Sequence, residues 1–272
     1  MQTKFFSIVV VSLNPGERLK KTIYSILEQT FTDYEVIIKD GGSKDGSADF
    51  LTEEGILEKY PQIQWITQPD KSIYDGMNQA VSYAKGKYVQ FLNCGDLFYE
   101  KEVLQKTADC ITARGELDAP AIFYGNQYNL LQNSIVTSAP QINDFTCYRN
   151  VPCHQVCFYD RRLFEKRAYL PQYTVRADYE HFLYSVYEEK ALTFSMPVTV
   201  CVYEGGGYSE TKENRKKSAA QHKEITSKYL GKKALKYRLI MLLTLSGLRG
   251  KIAESPRLSK VYNGVKSKIY RG

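Results

Sequence analysis

The sequence predicts an α/β fold in which helices cover a mostly parallel central sheet. Over residues 6–92, short apolar runs typical of buried strands alternate with segments whose apolar residues recur at helical spacing. Glycines and small polar residues gather directly after two of these runs, at 40–47 and 93–96. Ligands bind beyond the carboxyl ends of the strands in such sheets, so both clusters are candidates for a functional site.

The length of 272 residues predicts one large domain with an appendage. We expect a main domain over 1–209, with halves at 1–110 and 111–209, and a basic, mainly helical C-terminal extension over 210–272. The extension carries 17 Lys and Arg against 4 Asp and Glu, whereas 1–209 carries 20 against 26. The protein is therefore a mildly acidic body with a strongly basic tail.

The first strand is expected over Phe6–Val11, an apolar and β-branched run that only Ser7 interrupts. Asn14 offers a helix cap and Pro15 suits the first helical position, so a helix should follow directly.

Three more strands are expected in the first half, over Glu35–Lys39, Ile63–Thr67 and Tyr88–Leu92. A helix over Asp75–Lys85 lies between the last two, and Gly86 stands where a glycine would end it.

The second half is less regular. Strands are expected over Ala121–Tyr124, Val156–Tyr159 and Leu192–Tyr203, the last of them interrupted by Pro197. Apolar residues at helical spacing predict a helix that starts near Ala177.

The two polar clusters hold residues suited to binding. Asp40 ends a strand just before two glycines, where a carboxylate can accept hydrogen bonds from a nucleobase or ribose. Asp96 ends another, and one carboxylate is enough for Mg²⁺ when phosphates and water complete its coordination. Ordinary polar turns are the alternative for both clusters, and at 93–96 the spacing alone favours the ordinary turn.

Two longer runs carry a specific resemblance. The run SIVVVSLNPGERLKKTIYSILEQTFTDYEVIIKDGGSKDGSADFL resembles the opening of family 2 glycosyltransferases of the GT-A fold, including its S-I-L-x-Q-T segment. The run QPDKSIYDGMNQAVSYAKGKYVQFLNCGDLFY is similar to a bacterial subgroup that makes capsular polysaccharide, exopolysaccharide and lipopolysaccharide. The resemblance covers about 1–110 and, more weakly, about 150–210.

The resemblance implies a nucleotide-sugar site in the first half. Its donor-binding residues would be Ser12, Asn14, Asp40, Asp70, Lys71, Asp75, Asn93 and Gly95. The family's metal motif usually reads D-x-D or D-x-D-D, and this chain has Asn93, Gly95 and Asp96 in the matching positions. The resemblance therefore assigns Mn²⁺ or Mg²⁺ to Asp96 alone and leaves a second carboxylate missing.

The resemblance also implies a catalytic base, because family 2 enzymes place an Asp in an E-D or A-D pair at a helix start. Asp178 occupies that place, and the alternative is an N-capping Asp. His154 would lie near the acceptor or the diphosphate, unless it is a structural residue. Arg215, behind the glycines at 205–207, would reach donor phosphates, unless those glycines merely link to a solvated helix.

The expected function is inverting, metal-dependent transfer of a sugar from a nucleotide donor, with UDP favoured, to a hydroxyl of a surface-polysaccharide or lipid-linked acceptor. One alternative is a non-catalytic subunit that binds a nucleotide or glycan. A nucleotidyltransferase is less favoured, because no Gly-rich loop bearing Lys or Arg follows the first strand.

The cellular setting is read from cysteines and charge. Six cysteines without a CxxC pair, and no leader, predict a reducing cytoplasmic location. The apolar run at 239–245 is too short to span a bilayer, so we expect peripheral attachment of the basic extension to an anionic membrane. The alternative is a helix packed on the body or on a second subunit. No nucleic-acid-binding motif accompanies the charge.

Overall fold

The structure, a computed structural model, describes residues 4–205 and 211–243. Its strands are β1 (Phe6–Ser12), β2 (Tyr34–Asp40), β3 (Ile63–Thr67), β4 (Tyr88–Phe91), β5 (Leu97–Phe98), β6 (Ala121–Asn129), β7 (Ser134–Val136), β8 (Cys157–Asp160) and β9 (Leu192–Tyr203). Its helices are α1 (Glu17–Leu27), α2 (Phe50–Glu53), α3 (Ile56–Lys59), α4 (Ile73–Val81), α5 (Val103–Thr112), α6 (Asp144–Arg149), α7 (Arg162–Lys166), α8 (Ala177–Tyr187), α9 (Lys212–Leu230) and α10 (Lys232–Leu243). These strands form one sheet in the order β3-β2-β1-β4-β8-β6-β9-β5, with β7 paired to β6.

The first half of the sheet is parallel, as the sequence predicts. Strand β1 lies between β2 and β4 and runs parallel to both, and β3 continues the sheet beyond β2. Most residues of β1 and β2 are buried on both faces, which explains their continuous apolar sequences. The α/β fold class is therefore confirmed.

The second half joins the first through antiparallel pairing of β8 with β4. Beyond β8, β6 and β9 pair in parallel, but their register shifts from Tyr124↔Ser195 to Asn126↔Thr199. A side chain at Gly125 would lie 2.3 Å from the carbonyl oxygen of Val198, so only glycine fits opposite this bulge. Pro197 lies within the bulge, where its missing N–H costs no ladder bond.

Two details of the expected helices are wrong. Helix α1 begins at Glu17 behind Gly16, and Asn14 has a φ of 46° and does not cap it. Helix α4 ends at Val81, so Gly86 is not its cap. A Cβ at Gly86 would lie 2.5 Å from the carbonyl carbon of Phe6, so this glycine allows the chain to cross closely over β1.

The C-terminal helices pack on the body over the described residues. Gln221 of α9 accepts hydrogen bonds from the backbone amides of Val175 and Arg176, both at 3.1 Å, directly before α8. On α10, Ala234 is buried and the ring of Tyr237 lies 5.4 Å from that of Phe145. One face of α10 therefore packs on the body, as the alternative interpretation of the tail expected.

The opposite face of α10 is apolar and exposed. Leu235, Leu239 and Leu242 are 68%, 57% and 66% exposed, and their spacing places them on one side of the helix. Across residues 4–205 and 211–243, no helix has both the length and the apolar character needed to cross a bilayer.

All six cysteines lie within the described residues and carry free thiols: Cys94, Cys110, Cys147, Cys153, Cys157 and Cys201. Burial raises the pKa of every one of these thiols. They fill apolar space in the body of the protein.

His181 of α8 is a buried histidine with a structural role. Its ring stacks on Phe164 with centroids 4.3 Å apart, and its Nε2 lies 2.9 Å from the carbonyl oxygen of Arg167. Burial lowers the pKa of His181 from 6.5 to about 4. The side chain is therefore neutral in the folded protein at neutral pH.

We predict that His181 makes the fold acid-sensitive between pH 6.5 and about pH 4. In the unfolded chain the imidazole binds a proton below pH 6.5, whereas the folded protein resists protonation, so stability falls as pH falls through this window. The expected slope is about 1.4 kcal/mol per pH unit. Urea unfolding at pH 7 and pH 5 measures it, and His181→Phe should flatten the difference. An equal pH dependence in this variant would contradict the assignment.

Candidate active site

The carboxyl ends of β1, β2 and β4 lie side by side and carry polar loops. Ser12 is opposite Asp40 in the register of β1 with β2, and β4 leads into Asn93 on the other side of β1. The hydroxyl of Ser12 and the Oδ1 atom of Asn93 are buried without a hydrogen-bond partner in the described part of the chain. Such unpaired polar atoms suit a ligand at this edge of the sheet.

Asp40 shapes the loop that follows it. Its Oδ2 accepts hydrogen bonds from the backbone amides of Gly42 at 3.0 Å and Ser43 at 2.9 Å, and the Ser43 hydroxyl binds its Oδ1. The carboxylate is only 3% exposed. Asp40 therefore contributes first to the conformation of this loop.

Asn14 ties the loop after β1 to the loop after β2. Its backbone amide donates to the Ser43 hydroxyl at 2.7 Å, and its Oδ1 accepts from the backbone amide of Lys44 at 2.9 Å. Gly16 adds a third tie, since its amide donates to Asp45 at 2.9 Å. The two loops thus form one wall of the candidate site.

Asp70 lies beneath this wall in an ion pair with Lys39. The Lys39 Nζ is 2.6 Å from Asp70 Oδ2, and the two side chains are 0% and 13% exposed. A Cβ at Gly41 would lie 2.8 Å from the same oxygen, and a Cβ at Gly76 would lie 3.2 Å from it. The two glycines therefore make room for the buried pair.

Lys71 and Asp75 lie at the N-terminal end of α4. Ser72 caps the helix by accepting from the amide of Asp75, and Asp75 accepts from the backbone amide of Lys71 at 2.8 Å. The Lys71 side chain is exposed.

Asp96 is a buried carboxylate held by two donors. Gln155 Nε2 donates to its Oδ2 at 2.6 Å, and the backbone amide of Glu204 donates to its Oδ1 at 3.1 Å. Burial raises the pKa of Asp96, although both hydrogen bonds and the nearby His154 act in the opposite direction.

A divalent cation was expected at Asp96. Within the described residues, no group of three or more His, Cys, Asp or Glu side chains is arranged to hold a metal. The residues nevertheless fit an ion whose coordination is completed by phosphates and water: each Asp96 oxygen keeps a free lone pair, and the Asn93 amide oxygen is unpaired. Oxygen donors of this kind suit Mg²⁺ or Mn²⁺.

Asp178 lies at the start of α8 and does not cap it. The cap position is Arg176, which makes no side-chain capping bond, so the capping alternative does not apply. The Tyr74 hydroxyl donates to Asp178 Oδ1 at 2.8 Å, and His154 Nδ1 lies 2.9 Å from Oδ2. Since an ionised carboxylate only accepts, His154 carries its proton on Nδ1.

The electrostatics keep Asp178 ionised. Burial by itself would raise the pKa of Asp178, but the hydrogen bond and charge of His154, together with the Tyr74 hydroxyl, outweigh burial and lower it. The Nε2 atom of His154 is buried without a partner among the described residues. His154 adjoins Gln155, which donates to Asp96, and a protonated imidazole at this place lowers the pKa of Asp96.

The structure thus brings Asp96, His154 and Asp178 together at the strand ends. Arg215 is instead exposed in the first turn of α9, and the glycines at 206–207 lie outside the described residues. Sequence reasoning missed three residues that contact the carboxylates: Tyr74, Gln155 and Glu204. Only Gln155 had a local signal, its place beside His154.

Comparison with known proteins gives a consistent result. A family model described as glycosyl transferase family 2 matches residues 7–167. A PGL/p-HBAD biosynthesis glycosyltransferase of Mycobacterium bovis is 31% identical over 220 residues, which cover 78% of this chain and 81% of the relative. An uncharacterized glycosyltransferase of Mycobacterium tuberculosis is 26% identical and covers 72% of both chains.

Solved structures share the fold at low identity. A mannosyltransferase from Pyrobaculum calidifontis, in complex with GDP-Man and Mn²⁺, has a TM-score of 0.62 and 12% identity over 97% of this chain and 85% of its own. S. aureus TarS residues 1–349, in complex with UDP-GlcNAc, has a TM-score of 0.60 and 16% identity over 83% of this chain and 71% of its own. These likenesses confirm the GT-A fold that the sequence resemblance implied.

We predict that Asp70→Asn destabilises the fold by about 3–5 kcal/mol, because it leaves the buried Lys39 ammonium without its partner. Urea unfolding at pH 7 measures the change in free energy of unfolding. The double variant Lys39→Met/Asp70→Leu should recover most of the loss, since it removes both charges. A loss below about 1 kcal/mol in the single variant would show that the pair is not a structural requirement.

Proposed function

The chain belongs to glycosyl transferase family 2, and from that membership we propose that it is an inverting, metal-dependent transferase that moves a sugar from a UDP donor to an acceptor hydroxyl. The observation that carries this proposal is the arrangement of the buried Asp96 and the partly buried Asp178 around two consecutive residues: Gln155 donates to Asp96, and His154 contacts Asp178. Asp96 suits the side of the departing diphosphate, and Asp178 suits the acceptor hydroxyl.

The donor would lie at the ends of β1, β2 and β4. The unpaired Ser12 hydroxyl and the loop shaped by Asp40 and Asn14 would hold the uridine, and the Lys71–Asp75 segment would lie over it. We favour UDP, which TarS structures also contain, and GDP is the alternative, as in the P. calidifontis enzyme. Residues 1–110 would form the donor half and residues 111–209 the acceptor half of the catalytic domain.

Asp96 and Asn93 would hold a Mn²⁺ or Mg²⁺ ion, which would offset the charge of the diphosphate as it departs. Two groups of this chain position the Asp96 carboxylate on the donor side. Gln155 and the amide of Glu204 fix the Asp96 carboxylate, so that its orientation is set before the donor arrives.

Asp178 would take the proton of the acceptor. As the hydroxyl oxygen bonds to the anomeric carbon, the bond from that carbon to the diphosphate breaks on the opposite face, and the hydroxyl proton moves to a free lone pair of Asp178. Tyr74 and His154 orient the carboxylate and keep it ionised. The Nε2 atom of His154 is buried without a partner among the described residues, and it would contact the diphosphate or the acceptor.

The acceptor we propose is a hydroxyl of a growing surface polysaccharide or a lipid-linked oligosaccharide. The likeness of this chain to a glycosyltransferase of mycobacterial PGL/p-HBAD biosynthesis supports a role in glycan assembly. A lipid-linked acceptor would also fit an enzyme held at the cytoplasmic face of a membrane. Arg215, exposed in the first turn of α9, would reach the donor phosphates.

The exposed face of α10 supports such attachment. Beside its three leucines stand Lys232, Lys236 and Arg238, for which no ion pair with a carboxylate is present among the described residues. An apolar ridge flanked by cations suits the surface of an anionic bilayer, where each cation contributes about 1 kcal/mol.

We predict that one UDP-sugar is turned over with Mn²⁺ and not after chelation, and that Asp178→Asn lowers turnover by about 10²–10⁴-fold because the amide takes up no proton. Donor hydrolysis and transfer to lipid-linked acceptors, across UDP-, GDP- and dTDP-sugars, measure this. Asp118→Asn, a change at an exposed loop residue, is the matched control.

Three results would contradict parts of the proposal. Full activity in chelator excludes the metal role, and unchanged turnover by Asp178→Asn excludes this base. If UDP binds but no sugar is transferred to any acceptor, a nucleotide-binding subunit becomes the better explanation.

For the membrane we predict that the protein sediments with vesicles containing phosphatidylglycerol and not with phosphatidylcholine vesicles. Leu239→Ser, at a side chain 57% exposed, should weaken binding, whereas Leu130→Ser, at a side chain 53% exposed on the body, should not. The triple change at Leu235, Leu239 and Leu242 should abolish it. Equal binding by the triple variant and wild type would rule out this surface.

A further inference from the structure

Gly95 occupies the place where related sequences usually carry a metal-binding carboxylate. Its φ of 105° is one that residues with a side chain rarely adopt. A Cβ at this position would also lie only 2.7 Å from Oε2 of Glu204 and 3.3 Å from Cδ of Arg18. The backbone conformation therefore disfavours any side chain at position 95, and the Glu204 carboxylate occupies the space beside it.

The carboxylate of Glu204 stands in the space that such a side chain would need. Glu204 directly follows β9, which pairs with β5 through Leu97↔Val202, so its backbone position is set by the sheet. Its amide donates to Asp96 Oδ1 at 3.1 Å. One residue therefore both orients Asp96 and brings a second carboxylate over Gly95.

Within the described residues, the negative charge of this pair is balanced only weakly. Two acidic side chains lie close together here, because Asp96 directly follows Gly95 and the Glu204 carboxylate lies against Gly95. Among the described residues Glu204 pairs with Arg18, whose Nη1 lies 3.9 Å from Glu204 Oε2. The two side chains are 57% and 48% exposed, so this ion pair is loose. The buried Asn93 Oδ1 has no partner in the described part of the chain and adds a third oxygen.

We propose that Glu204 supplies the second carboxylate of the divalent-cation site and replaces the side chain that Gly95 lacks. This inference rests on the metal-dependent function proposed above. It explains how a chain with a single aspartate in its metal motif binds the ion: the missing ligand comes from the end of a distant strand. The Arg18 pair then holds Glu204 only until a cation binds.

The test measures metal binding directly. Mn²⁺ is titrated into the full-length protein, with and without UDP, and free Mn²⁺ is followed by electron paramagnetic resonance. Glu204→Gln keeps the size of the side chain and the hydrogen bond from the backbone amide of residue 204 to Asp96, but it removes the negative charge. We expect it to weaken Mn²⁺ binding by about 10–100-fold. Glu58→Gln, at an exposed glutamate of α3, is the matched control and should bind as wild type does.

A second variant separates the metal role from the ion pair. If Glu204 serves only Arg18, then Arg18→Gln weakens Mn²⁺ binding as much as Glu204→Gln does, and the proposal is wrong. If Glu204 is a ligand, Arg18→Gln binds Mn²⁺ as tightly as wild type or more tightly, because a competing cation is gone.

Wild-type affinity in Glu204→Gln overturns the inference while leaving the transferase function intact. Absence of Mn²⁺ binding by the wild type overturns it as well. Sugar transfer, assayed separately, reports on the proposed function itself. Circular dichroism and thermal unfolding confirm that each variant is folded, as expected for a half-exposed side chain.

Discussion

The parallel pairing of β1 with β2 and with β4 is the constraint on which the rest of the structure depends. Because the three strands run in the same direction and in fixed register, Ser12, Asp40 and Asn93 reach the same edge of the sheet. A shift by one residue would move every side chain of such a buried strand to the opposite face, and the close packing of the core on both faces resists that change. The position of the site is therefore a consequence of core packing. The strands hold the binding loops side by side, so these loops do not have to be stable by themselves.

The antiparallel half completes the site from the other direction. Strand β8 joins β4, and the turn before β8 brings His154 and Gln155 next to Asp96. Gln155 is a buried connector, because its carbonyl accepts from Gln90 of β4 at 2.7 Å while its side chain donates to Asp96. Tyr74 makes a corresponding link from α4 to Asp178 across 104 residues of sequence. Side chains of the two halves are thus joined by polar contacts that are largely withdrawn from water, where hydrogen bonds are strong and specific.

The sequence predicts the local part of this arrangement well. Strand positions, the fold class and the start of α8 at Ala177 follow from apolar runs and turn residues, which act over a few neighbours. The partners of the carboxylates do not follow, because Tyr74, Gln155 and Glu204 meet them only through the folded sheet. Gly86 and Asn14 were misjudged for the same reason: each has a local pattern typical of helix ends, and each is used for a long-range contact with another part of the chain. The role of each predicted donor-binding residue stays a prediction.

The buried thiols have a consequence for the chemical durability of the protein. Only a thiolate reacts readily with oxidants and alkylating agents, and in the folded state burial suppresses ionisation at all six cysteines. Packing in the folded protein therefore lowers the reactivity of the thiols, and they become reactive when the chain unfolds. Thiol oxidation would then be slower in the folded protein than in nascent or unfolded chains, and slowest at the buried Cys147, Cys157 and Cys201.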